Sequence, residues 1–322
     1  MPKELIIVLC ILLGLILIIF LFINSFHNKM FNKRFEMDPL VSTYEDDKLE
    51  RKQIEFMADK TKLRGFIYSY PNMNYKGLVV FSHGMFSSHK SYMQEIIYFA
   101  NQGYKVLGFD YMATSISEGE SLKGFANSLK CLDYAIRYVK TEEELKDYKL
   151  IVVGHSWGGF AASNILKYHK DIDKVVALAP FSSINRLIKG YLPKWLYPII
   201  PLIVLADALK CGKYSFSNNI KTLKNKENIL VLHSKDDHMV KYELNAKVLI
   251  KKNPTIKSII VENKRHNPNY SLDAINRLKE YSNKAKNLKG DELVELKKST
   301  NFLLLGELDN EIMYKIMEFI QK

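Results

Sequence analysis

Three cysteines are too few for a disulfide framework, and one of them, Cys10, sits inside an apolar run. The remaining pair, Cys131 and Cys211, is compatible with a reducing compartment. No Cys or His residues cluster at zinc-site spacing, so neither a metal nor an organic cofactor is expected. Acidic residues are also in deficit: 47 Lys and Arg stand against 35 Asp and Glu, for a net charge of +12. The excess is lysine spread over the whole chain. A nucleic-acid groove would gather those cations with aromatics on one element, and no such grouping exists. What remains is a generally lysine-rich composition, or attraction to an anionic membrane surface. Repeats and low-complexity tracts are absent too, and 322 residues suit a single α/β domain with one insertion behind an N-terminal segment.

That segment is the longest apolar run. Leu5 to Ile23 contains no charged residue, and at helical rise it is about 28 Å long, close to the hydrocarbon thickness of a bilayer. A cleavable signal peptide needs a shorter apolar region ending in small residues, whereas Phe20, Phe22, Ile23 and Phe26 stand here without an Ala-x-Ala site. Residues 1–34 are therefore expected to be a single-pass membrane anchor, spanning at about 5–24, with residues 35–52 as a polar tether and 53–322 as the domain. A core helix is disfavoured, because it would leave the domain with a spare apolar rod. Lys29, Lys33 and Arg34 outweigh Lys3, which Glu4 partly offsets, so the domain is expected on the cytoplasmic side.

Within the domain, the pattern changes period around one serine. Leu150 to Val153 is a short run rich in β-branched residues, as in a strand buried on both faces. Phe160, Ala161, Ile165 and Leu166 recur at helical spacing. Between them lie Gly154, His155, Ser156, Trp157, Gly158 and Gly159. A strand that turns sharply into a helix strains its corner residue, and small neighbours let the flanking chains pass. Ser156 is that corner, lifted clear of the sheet above a helix start whose N–H groups can receive an oxyanion.

A nucleophilic serine needs a base and a group to orient it. Downstream, the strand Asn228 to His233 runs into Asp236 and Asp237, and the strand Ser258 to Val261 leads to His266. Upstream, Gly77 to Phe81 is a strand followed by His83, Gly84 and Met85. Lys105 to Phe109 ends at Asp110, which precedes the serine and is expected to be structural, as is His83; His89 reads as a loop residue. Further elements are an antiparallel pair, Gln53 to Ala58 and Leu63 to Tyr70, and helices at Tyr92 to Ala100 (with Ser91 as N-cap), Leu122 to Val139, Tyr242 to Lys251 and Asp309 to Ile320. A lysine-rich amphipathic stretch, Leu272 to Lys297, has no assigned function.

These residues resemble the α/β-hydrolase superfamily, in the branch of serine aminopeptidases, monoacylglycerol lipases and lysophospholipases. The resemblance runs from about Gln53 to the C-terminus, and its pieces are His83 and Gly84 with Tyr92, Asp110, the Gly154 to Gly158 elbow, His233 to Val240, and His266. It implies a mostly parallel sheet flanked by helices. It also implies a triad of Ser156, Asp237 and His266, selecting Asp237 over Asp236 by its spacing from His233 and Val240, with the Met85 and Trp157 N–H groups as oxyanion hole. Relatives usually carry Arg-Gly and a second glycine after the strand-end aspartate, where this chain has Met112, Ala113 and Ser115. That loop is expected to border the substrate pocket.

Residues 182–227 take the place of the fold's cap. Their middle is apolar from Leu192 to Leu205, and Pro193, Pro198 and Pro201 forbid one continuous helix. The reading that follows is a membrane-anchored serine hydrolase cleaving a lipophilic acyl ester. Peptide or amide cleavage is the enzymatic alternative; it calls for acids in the cap to hold an amine, and Ser182 to Lys213 offers only Asp207. A tethered, non-catalytic binding protein is the alternative from another class.

Overall fold

The computed structural model describes residues 2–39, 46–224 and 226–322; the middle of the expected tether therefore lies outside the described residues. The chain opens with helix α1 (Lys3–Phe31). Strands follow at β1 (Glu50–Ala58), β2 (Thr61–Ser69) and β3 (Leu78–Ser82), then helix α2 (Met93–Asn101), β4 (Lys105–Phe109), α3 (Asn127–Thr141), β5 (Leu150–His155), α4 (Trp157–Ile165) and β6 (Lys174–Leu178). The insertion holds α5 (Ile184–Lys189), α6 (Ile200–Cys211) and the single turn α7 (Asn219–Thr222). Closing elements are β7 (Ile229–Ser234), α8 (Ala246–Lys252), β8 (Lys257–Val261), α9 (Leu272–Ala285), α10 (Gly290–Ser299), α11 (Phe302–Leu305) and α12 (Asn310–Gln321).

The strands form an eight-stranded sheet in the order β1-β2-β4-β3-β5-β6-β7-β8. β1, β2 and β4 pair antiparallel, and every later pairing is parallel. This is the α/β-hydrolase arrangement. The central strands are buried throughout, which is why they read as unbroken apolar runs. One sheet face packs on α2 and α12, whose Ile312, Met313, Ile316 and Met317 make its apolar stripe. The opposite face packs on α3, α4 and α8 and also receives Phe31 from α1. Parallel pairing sets the carboxyl ends of β3, β5, β7 and β8 along one edge, where the loops carrying the candidate residues emerge.

Several expected boundaries shift for identifiable reasons. Ser91 caps nothing: it lies inside a 3-10 turn, His89–Tyr92, and the α-helix proper starts at Met93. The helix expected from Leu122 begins at Asn127, because Lys123 stands at φ 63°, a left-handed backbone that no α-helix can include. The sheet starts at Glu50, so the tether is shorter than expected. Its first residue is also docked, since Phe35 bridges to Thr114 and the Arg34 guanidinium donates to the carbonyls of Ser115, Ser117 and Gly119.

α1 differs most from expectation. Its 29 residues rise about 43 Å, more than a bilayer's hydrocarbon core of about 30 Å. Residues from Leu5 to Phe22 are almost all exposed apolar side chains, whereas Ile23, His27 and Phe31, one stripe at helical spacing, are buried against the domain. The helix is long and apolar enough to cross a membrane, and its last turns are core.

Candidate active site

β5 is buried along its length and the chain reverses within one residue to lay α4 back on the sheet. Ser156 takes that corner at φ 57° and ψ −111°, a conformation that costs a non-glycine residue roughly 1–3 kcal/mol. It is held from both sides: its N–H donates to the Leu178 carbonyl at 2.8 Å and its carbonyl accepts from the Phe160 N–H at 2.9 Å. Small neighbours are obligatory. A Cβ on Gly158 would stand 1.9 Å from the Ser82 carbonyl oxygen, and one on Gly154 would stand 2.2 Å from that of Gly158.

The structure brings Ser156, Asp237 and His266 together. His266 Nε2 lies 2.7 Å from Ser156 Oγ, and its Nδ1 lies 2.8 Å from Asp237 Oδ2. The network assigns the proton to Nδ1, leaving Nε2 to accept from the serine hydroxyl. Asp237 is buried, and its other oxygen accepts from the N–H groups of Met239 and Val240 at 2.8 and 2.9 Å. Asp236 faces elsewhere: its oxygens receive Ser234 Oγ at 2.5 Å and the Arg265 N–H at 3.2 Å, bracing the loop that carries the base. Trp157 opens α4, where N–H groups lack an intrahelical acceptor. Met85, Ser156 and Trp157 line one cavity.

Tyr92 and His155, named from the sequence without a role, tie these loops together. The Gly84 N–H donates to Tyr92 Oη at 3.1 Å, Tyr92 Oη meets His155 Nδ1 at 2.9 Å, and His155 Nε2 donates to the His266 carbonyl at 2.8 Å. The oxyanion loop, the elbow and the base loop thus share one chain of hydrogen bonds. Burial, and next the neighbouring His266, push His155 down to about 3, so it serves as a neutral connector. His83 is likewise pushed down by burial to about 4; its ring stacks on Tyr111 at 3.9 Å and its Nδ1 meets the Gly84 carbonyl at 2.8 Å, which makes it a support. His89 is more than a loop residue. It is buried, its Nδ1 lies 2.9 Å from Asp110 Oδ1 and its Nε2 lies 3.0 Å from Tyr68 Oη. Burial opposes charge on Asp110, yet the adjacent His89 holds its carboxyl below the usual range.

Glu95 was also legible in principle, as a lone acid on the face of α2 that buries Met93, Ile96 and Phe99. It accepts from Asn269 Nδ2 at 2.9 Å, pinning the segment after His266, and burial raises it to about 7. A carboxyl whose folded value is raised favours folding while protonated, so that contribution is present below the unfolded value and disappears as pH rises through 7. The order of the effect is about 3 kcal/mol. Glu95→Gln keeps the amide contact without the charge. Its stability relative to the parent should therefore rise from pH 5 to pH 8, a melting-temperature difference growing by about 5 °C. Parallel melting curves for both proteins across that range would remove Glu95 from this role.

Over Ser156 lies a cavity of about 560 Å³, within the roughly 300–1,000 Å³ typical of small-molecule sites. The domain contributes Met85, Phe125, Trp157 and Phe181, the cap Leu187, Ile188, Leu192, Ile199 and Ile203, and α1 a further stripe. Among the described residues, no carboxylate lines it. Asp207 is committed elsewhere, receiving the N–H groups of Phe125 and Ala126, Ser215 Oγ, and His27 Nε2 at 3.2 Å. Met112, Ala113 and Ser115, expected at the pocket, do not line it. Their loop instead holds the segment after α1, with Ala113 and Ser115 themselves at φ 57° and 44°.

Comparisons with known proteins bear on the fold and the family. Over 153 residues the chain is 26% identical to the lysophosphatidylserine lipase ABHD12 of Danio rerio, covering 45% of this chain and 39% of that protein. Over 115 residues it is 34% identical to a Mycoplasma pneumoniae protein with an esterase/lipase designation, covering 35% of this chain and 39% of that one. The chain thus spans about two fifths of the length of these curated relatives. Among solved structures, the Pyrococcus furiosus esterase Pf2001 superposes with a TM-score of 0.53 at 21% identity, over 72% of this chain and 88% of that one. Est1E from Butyrivibrio proteoclasticus, solved with ferulic acid bound, gives 0.53 at 17% identity, over 84% of this chain and all of the other. The family model described as "Serine aminopeptidase, S33" matches residues 73–260, more than half of the chain. The chain belongs to that family of α/β-hydrolases.

Proposed function

We propose that the protein is a membrane-tethered serine hydrolase that cleaves a lipophilic carboxylic ester through an acyl-enzyme. The observation that carries this reading is the apolar cavity that opens on Ser156, with no carboxylate among the described residues that line it. Ser156 Oγ attacks the ester carbonyl as His266 Nε2 takes its proton, and Asp237 orients and stabilises the imidazolium. The Met85 and Trp157 N–H groups receive the oxyanion; losing one such donor typically costs about 3 kcal/mol of barrier. His266 then returns the proton to the leaving alcohol, and water, activated by the same imidazole, releases the acid. His83 and Gly84 support the first of these donors, and Gly154 and Gly158 support the elbow.

Removal of an N-terminal residue from a peptide, the activity in the family's name, needs a group to hold the substrate's ammonium. Asp207, the only acid between Ser182 and Lys213, is buried and already paired. The cavity therefore suits an acyl chain better than an amine.

The same apolarity supports a bilayer as partner. Beyond α1, the cap exposes Tyr191, Trp195, Leu209 and Phe216, a surface that water disfavours and lipid accepts. The proposed placement is single-pass, with the domain on the cytoplasmic side, where Lys29 and Lys33 meet anionic headgroups.

A chain-length series tests the substrate class. Each methylene buried in the cavity is worth about 0.8 kcal/mol, so kcat/KM for p-nitrophenyl esters should climb by up to about four-fold per carbon until the cavity is full. A profile that peaks at acetate and falls beyond a few carbons sinks the lipophilic reading.

A further inference from the structure

The cavity over Ser156 is not closed by the hydrolase domain and cap alone. Phe22, Ile23, Phe26, His27, Met30 and Phe31 of α1 form part of its wall, spaced so that they fall on one helical face. The contact is fastened. His27 and Asp207 are both buried and meet at 3.2 Å, and the rings of His27 and Phe31 pack at 4.8 Å while Phe31 packs on Phe125 at 4.7 Å. The Leu122 N–H and Ser121 Oγ donate to the Phe31 carbonyl, and Arg34 is tied to the loop beyond. A helix serving only as an anchor would need none of these.

Height along the helix adds direction. Counting from Leu5, a hydrocarbon core of about 30 Å is used up after about 20 residues, near Asn24. Phe22 and Phe26 stand at that level, line the cavity, and are still 74% and 60% exposed. The cavity's rim between α1 and the cap therefore meets the edge of the acyl-chain region, while its floor is Ser156.

We propose that α1 is part of the substrate site: the acyl chain of a membrane lipid ester enters from the bilayer along this helix face, and Met30 helps set the chain length accepted. This rests on the acyl-ester reading. Met30 is half-buried, lines the cavity and packs on the core, so its volume subtracts from the space available to an acyl chain.

The test uses the full chain in phosphatidylcholine vesicles with monoacylglycerols of graded acyl length. Met30→Trp should shift the optimum to shorter chains, lowering kcat/KM for the parent's best long ester at least about ten-fold relative to a short one. Met30→Ala should shift the optimum to longer chains, a gain that misfolding cannot mimic. Leu13→Trp, on an exposed face of α1 away from the cavity, should keep the parent profile. A parent optimum that neither Met30 variant moves, or a Met30→Ala profile no longer than the parent's, overturns the role of α1. A parent protein that hydrolyses none of the esters overturns the ester reading instead.

Discussion

Ser156→Ala should lower kcat on a medium-chain ester by about 10⁶-fold, and His266→Ala should cost nearly as much, because neither residue works without the other. The double variant should be scarcely slower than either single one; multiplied losses would mean that the two act separately. Alanine keeps the corner's backbone demand, φ 57°, unchanged. The Ser156→Ala melting temperature should thus match the parent within about 2 °C, since substitutions away from packing and strain changes typically lie within about 0.5 kcal/mol. Stopped assays at high enzyme concentration, with the variant purified apart from parent protein, read the loss directly.

The second large effect separates two neighbouring acids. Asp237→Asn should reduce kcat by about 10⁴-fold, because an amide donor facing His266 Nδ1 favours the wrong tautomer and gives no compensation for the imidazolium. Its fold should persist, as the amide oxygen can still accept from Met239 and Val240 N–H groups. Asp236→Asn touches only the loop brace from Ser234 and Arg265 and should cost less than about ten-fold. Equal losses at both positions would contradict the assignment of Asp237.

The strand-turn-helix around Ser156 was legible because strand period, helix period and small residues meet within a few positions, and sterics admit few solutions there. The sheet was equally legible, since parallel strands buried on both faces leave uninterrupted runs such as Leu78 to Phe81. What escaped were contacts between residues far apart in the chain. His89 looks like a loop residue until Asp110 and Tyr68 close on it, and Glu95 with Asn269 joins positions 174 residues apart. The same limit hid the role of α1. An apolar run about as long as the hydrocarbon core reads as anchor, whereas His27, four residues past its end, finds Asp207 180 residues away. The substitution of Ala113 and Ser115 for the usual glycines pointed to that loop correctly but to the wrong neighbour, because it is the segment following α1 that packs there.

Covalent capture is the most direct measurement of the central claim, that an activated Ser156 opens on an acyl pocket completed by the membrane helix. The membrane-inserted parent should be treated with an alkyl fluorophosphonate of medium chain length and the modified peptide located by mass spectrometry. The adduct should fall on Ser156 alone, form more slowly with a short-chain probe, and vanish in His266→Ala. An adduct elsewhere, or labelling of Ser156 that needs neither His266 nor the longer chain, would contradict the account.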